Sequence, residues 1–170
     1  MKPELEQKLA DEFPFMKRGS SVAEQKAEGF INDLYGAFGC DFGDGWYKVL
    51  RGLCIEITEA YKKRQMDIDF VPVQVKEKFG ELRFYWTTIG SNHELYEELN
   101  SIVEKWENKS TTVCETCGEE GVLRKDLQWV LTLCDSCYLK VKNGGISTSS
   151  VKHDHDIETI ITAFREIADE

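Results

Sequence analysis

Proline occurs only three times in 170 residues, and no tract is dominated by one residue type. That scarcity excludes collagen-like, polyproline and low-complexity chains. Histidine is equally rare, so acid–base or metal chemistry resting on several imidazoles has few places to sit. No apolar stretch approaches the ~18–20 residues that a membrane-spanning helix needs. The opening MKPELEQKLADEF is acidic and lacks the apolar core of a secretory leader. A chain without signal peptide or membrane span is therefore expected. Basic residues are outnumbered 21 to 31, giving a net charge of −10. Nucleic-acid binders ordinarily carry a basic face that displaces phosphate counterions, and a deficit of this size speaks against one. No Walker A, GxGxxG, GxSxG or HExxH string is present, so the common nucleotide, hydrolase and zinc-protease sites are not signalled.

Large side chains are plentiful, with four Trp, six Tyr and nine Phe within a 41% apolar composition. The chain can bury a core, either as one domain of ordinary size or as a core domain with a small appended module. Cys114-Glu-Thr-Cys117 and Cys134-Asp-Ser-Cys137 point to the second arrangement. Sixteen residues separate the pairs, a spacing in the range of zinc sites. Two thiolates three positions apart in a tight turn can face one ion, and two such turns complete a tetrahedron. Gly118 directly after Cys117 suits the left-handed turn that aims N–H groups at the sulfurs. Val122–Arg124 and Trp129–Leu133 read as a hairpin between the pairs, and Asp135-Ser136 as the start of a helix. The expectation is a zinc ribbon or treble clef with a structural Zn²⁺ held by Cys114, Cys117, Cys134 and Cys137. A redox role is the alternative, but thioredoxin-like motifs carry a single C-x-x-C on a βαβ pattern.

Before this module, apolar periodicity predicts helices over 3–13, 22–38, 45–64 and 92–108, with Asp44 as a candidate N-cap for the third. Phe70–Val75 and Leu82–Ile89 alternate as two strands of a hairpin turning near Gly80, with Pro72 placing the first at an edge or a strand start. Exposed aromatics such as Tyr85 either pack under a helix or stack on bases. Asn143–Ser150 reads as a Gly/Ser linker before a helix near 155–168. The fold class expected is α+β: helices on a β-hairpin over 1–110, the zinc module over 111–142, and the linker with its amphipathic helix over 143–170.

Other candidates carry blander readings. Cys54 lies on an apolar stripe and Cys40 in a Gly/Asp-rich turn, neither with a histidine nearby to activate it. His153-Asp-His-Asp156 could ligate a divalent ion, but Asp154 or Asp156 capping the last helix accounts for it more simply. Lys62-Lys63-Arg64, with Lys76, Lys78, Arg83, Arg124 and Lys125, is the one candidate basic face.

The order Gly43-Asp-Gly-Trp-Tyr47, Val73-Gln-Val-Lys-Glu-Lys-Phe-Gly80-Glu-Leu-Arg-Phe-Tyr85, Cys114-x2-Cys117-Gly and Leu133-Cys-x2-Cys137 resembles a family of small, mostly uncharacterised proteins encoded by phages and bacterial prophages. The likeness spans roughly residues 43–138. It implies a zinc-binding helical and hairpin fold with a phage or prophage accessory role, and supplies no catalytic residue. The functional expectation is a zinc-stabilised, non-enzymatic binding protein of the cytoplasm (the host's, if phage-encoded), acting on a host protein as an accessory or counter-defence factor. The alternatives are a nucleic-acid-binding regulator using Lys62–Arg83, and a metal-dependent enzyme using His153 and His155.

Overall fold

The computed structural model describes residues 1–19, 34–90 and 93–144. Within them the chain is a mixed α+β protein. Its elements are α1 (Pro3–Glu12), α2 (Leu34–Phe38), β1 (Cys40–Asp41), α3 (Tyr47–Lys63), β2 (Phe70–Lys78), β3 (Glu81–Thr88), α4 (His93–Ser110), β4 (Val122–Arg124), β5 (Leu131–Leu133) and α5 (Asp135–Lys142). The expected helix over 22–38 is described only from Leu34, and the C-terminal helix, most of the linker and His153–Asp156 lie outside the described residues.

The strongest helical pattern behaves as its spacing demands. Val49, Leu50, Leu53, Cys54, Ile57, Ala60 and Tyr61 of α3 are all buried. Deleting a Leu from such a stripe costs about 2–5 kcal/mol. Asp44 does not cap this helix: it belongs to a 3-10 turn over Asp44–Trp46, and its carboxylate instead accepts from the Lys2 backbone N–H (2.8 Å). The helix ends in a Schellman pattern, with Gln65 N–H donating to Lys62 O and Met66 N–H to Tyr61 O. Gln65 has φ +54°, in the left-handed region where glycine is usual.

The sheet has the order β1-β2-β3, β1 parallel and β3 antiparallel to β2. The short β1 was not signalled: two residues carry no period. It makes β2 the central strand, yet Pro72 is accommodated because β1 pairs only with Val75 and Lys76. A register shift between Pro72 and Gln74 leaves Pro72 opposite Trp86. On β3, Leu82 and Phe84 are buried, and Trp86 stacks on Phe70 at 4.9 Å between centroids. Tyr85 on the opposite face is exposed, not packed under a helix.

Helix α4 packs on α3 and runs beside β3, burying Leu95, Leu99 and Val103. It also bonds to the free edge of β3: Leu82 N–H donates to Ser110 Oγ (2.9 Å) and Phe84 N–H to Glu107 Oε1 (2.7 Å). Desolvation raises the Glu107 carboxyl above its ordinary value, opposed by the Phe84 N–H.

The β2–β3 turn joins Phe79 (φ +56°) to Gly80 (φ +79°), two positive angles in a row as in a type I′ turn. Glycine adopts this freely; a phenylalanine there is strained, and this one is 70% exposed, so burial does not offset the strain. Phe79→Asn is predicted to raise stability by about 1 kcal/mol, the order of the left-handed penalty. Urea unfolding of the two proteins checks it, and a lower midpoint for the asparagine variant would contradict it.

Candidate metal centre

The first cysteine pair sits in a knuckle made by a short return of the chain. Cys114 N–H donates to Glu119 O (2.7 Å), Gly118 N–H to Cys114 O (2.8 Å) and Gly121 N–H to Thr112 O (3.0 Å). Gly118 has φ +81°, the left-handed conformation its place after Cys117 suggests. β4 and β5 then form an antiparallel hairpin, Val122 opposite Leu133 and Arg124 opposite Leu131. The second pair opens α5: Cys134 is its N-cap residue, and its sulfur accepts from Cys137 N–H at 3.5 Å. Knuckle and hairpin thus lead into a helix that carries the second cysteine pair at its start.

The four sulfurs lie within 4.8 Å of one another. Cys117 and Cys134 Sγ are 3.6 Å apart. A tetrahedron with Zn–S bonds of ~2.3 Å has edges of ~3.8 Å. The donor set therefore fits a tetrahedral thiophilic ion with little movement. Cys114 and Cys137 are buried, Cys134 half-buried, and Cys117 faces solvent. The Cys137 N–H aimed at Cys134 lowers that thiol to about 7, and thiolate is the ligating form. Burial pushes the Cys137 and Cys117 thiols up. Among the described residues, no other group of three or more His, Cys, Asp or Glu side chains gathers closely enough to share an ion.

The knuckle is docked on the core by the loop that contains Asp44, the residue expected from sequence to cap α3. Gly45 N–H donates to Glu115 O (2.8 Å), Gly43 N–H to Glu115 Oε1 (3.0 Å) and Trp46 Nε1–H to Val113 O (2.8 Å). The approach is so close that a Cβ on Gly45 would lie 2.2 Å from Cys114 O and 2.5 Å from Gly118 N. A Cβ on Gly43 would lie 2.4 Å from Glu115 O. Trp46 is fully buried and packs on Phe42. Glu115 N–H donates to Thr132 O of β5 (2.9 Å), tying knuckle to hairpin. Its side chain is almost fully buried, with Oε2 unpaired. Desolvation, reinforced by Glu77, raises its carboxyl to about 7.

A second bridge joins the two hairpins. Thr132 Oγ1 donates to Gly80 O (2.7 Å), Trp129 Nε1–H to Glu77 Oε2 (3.3 Å), and Leu123 packs over Gly80. Around the hairpin, Arg124 lies over the Tyr138 ring at 4.5 Å and pairs with Asp135.

The remaining candidates are not gathered here. Cys40 and Cys54 are fully buried, and burial pushes both thiols up. His93 opens α4, 90% exposed, with Nδ1 4.0 Å from Glu97. The basic residues divide. Lys62 and Lys63 end α3, near the start of β2, whereas Lys78 ends β2, on the order of 26 Å away at the rise of an extended strand. Arg64 pairs with Glu94 and Glu98, Arg83 with Glu81 and Glu107, and Arg124 with Asp135. Among the described residues, no helix is long and apolar enough to cross a membrane.

No family model matches the chain, and no curated protein or solved structure matches it.

The glycine contacts make a direct prediction. Gly45→Ala should cost about 1–3 kcal/mol, the range for forcing a methyl group into filled space, and should also loosen metal retention, because the atoms displaced are Cys114 O and Gly118 N. Urea unfolding gives the first effect and a chelator-competition assay the second. Wild-type values in both would show that the knuckle does not rest on this loop.

Proposed function

We propose that the chain is a non-enzymatic binding protein in which a structural Zn²⁺ holds together the module over 111–142 that docks on the helical and hairpin core. The observation that carries this is the closed all-sulfur cluster. Four cysteine sulfurs at tetrahedral spacing complete the coordination shell of a zinc ion from protein alone, the hallmark of structural rather than catalytic sites. Bound zinc would supply coupled folding energy on the order of 10 kcal/mol. That scale suits a module whose own apolar cluster is small, with Leu131 and Leu133 beside the buried cysteines.

The binding role is supported by surface chemistry. The chain is acidic overall, and Tyr85, Tyr96, Phe79 and Trp129 are exposed. A negatively charged surface with projecting aromatics suits association with a basic protein partner. The phage accessory or counter-defence reading, acting on a protein of the host cytoplasm, belongs to this proposal. It rests on the sequence resemblance over residues 43–138 alone.

Two measurements test the two halves. Elemental analysis should find one zinc per chain, and strong chelation should unfold 111–142 while the α3 and β2–β3 amide signals persist in NMR spectra. Metal-free protein with an intact β4–β5 hairpin would remove the metal's structural role. Tagged protein should retain a stoichiometric basic protein from host lysate at low salt and release it at high salt. Retention of none would end the binding proposal.

A further inference from the structure

Beside β3 the sheet edge opens into a groove against α4. It has a volume of about 360 Å³ and is lined chiefly by Tyr85, Trp86, Tyr96, Asn100, Glu104 and Glu107. Its construction follows from the edge. Outward N–H groups alternate along a strand, and α4 side chains already serve those of Leu82 and Phe84, through Ser110 and Glu107. The alternation puts the next outward N–H on Trp86, and among the described residues no α4 side chain accepts from it. The groove runs past this point, from Phe84 and Glu107 to Trp86 and Tyr96.

The polar groups there are of one kind. Among the described residues, Glu104 has no cationic partner and the Asn100 side-chain amide has no hydrogen-bond partner. Glu107 receives the Phe84 N–H through Oε1, while its Oε2 meets Arg83 at only 3.4 Å. Arg83 is itself divided between Glu107 and Glu81. Aromatic rings supply the rest. Trp86 and Tyr96 lie 4.9 Å apart at 38°, and Tyr85 already has the Lys76 ammonium 5.7 Å from its ring centroid. Carboxylates, an amide and electron-rich rings around an open strand edge are complementary to a guanidinium or ammonium group carried on an extended backbone.

We propose that this groove receives an arginine or lysine side chain of an extended basic segment of a protein partner, whose backbone pairs with the edge of β3 at Trp86. The proposal rests on the binding-protein reading above and specifies its surface and partner chemistry. Charge selects the occupant: Glu104 and Glu107 would repel an acidic peptide or a phosphate, and an apolar side chain would strand their carboxylates.

The test uses the zinc-loaded full chain and a defined probe, the acetylated and amidated pentapeptide Val-Thr-Arg-Thr-Val, followed by ¹H–¹⁵N NMR. The arginine peptide should shift the Tyr85–Thr88 amides, the Trp86 indole and the Asn100 side-chain amide. The isosteric citrulline peptide should bind at least tenfold more weakly. Glu104→Gln, on an exposed helix surface, should weaken the arginine peptide about fivefold and leave the citrulline peptide unchanged. Equal affinity for the two peptides, or shifts confined to other elements, would overturn the proposal. Free arginine amide binding as tightly as the peptide would overturn the strand-pairing part, leaving a small-cation site. A basic lysate protein retained equally by wild type and by Glu104→Lys would overturn the groove alone, with the wider binding proposal intact.

Discussion

The architecture turns on one main-chain hydrogen bond, from Gly45 N–H to Glu115 O. It joins the turn that launches α3 to the knuckle that carries Cys114 and Cys117. Both partners are backbone atoms brought together at van der Waals limits, which only the absence of side chains at Gly43 and Gly45 permits. Trp46 fills the space beside the contact and adds its own bond to Val113 O, so the longest buried stripe of the core, on α3, begins at the point where the knuckle is seated. The Gly80–Thr132 contact adds a second seat at the β2–β3 turn, donated by a side-chain hydroxyl. These two seats orient the small module on the core.

Much of this was legible in the sequence where physical periodicity or ligand spacing is strong. The alternation on either side of Phe79-Gly80 marks β2 and β3, the 3.6-residue stripe from Trp46 to Tyr61 marks α3, and the cysteine spacing marks a gathered set of sulfurs. What escaped was whatever depends on contacts distant in the chain. Asp44 has the side chain of an N-cap, yet Lys2 holds it. β1 is too short to show alternation and exists because Cys40 meets Val75. Glu115 stands between Cys114 and Cys117 like any loop carboxylate, and nothing in its neighbours announces that it is buried against Gly43.

Electrostatics divides the molecule in a way composition alone does not reveal. The arginines of the candidate basic face are engaged by glutamates of the sheet and α4, or by Asp135 in the small module. At the opening between α4 and β3, Glu107 shares Arg83, and Glu104 stands free of cations among the described residues. An exposed ion pair of this kind adds little to stability, about 0–1 kcal/mol. The pairing matters more for the sign of charge it leaves uncovered at each surface.

Because the Gly45–Glu115 bond joins main-chain atoms, substitution cannot delete its donor or acceptor short of proline at position 45; it can only obstruct them. The side chains of Thr116 and Glu119 are absent from the bonds that seat the knuckle. Sequence drift at such positions is nearly free, whereas Gly43 and Gly45, which contribute no side chain at all, tolerate almost nothing. Distant versions of this fold could therefore share little beyond two glycines, a tryptophan and the sulfur quartet, and still superimpose.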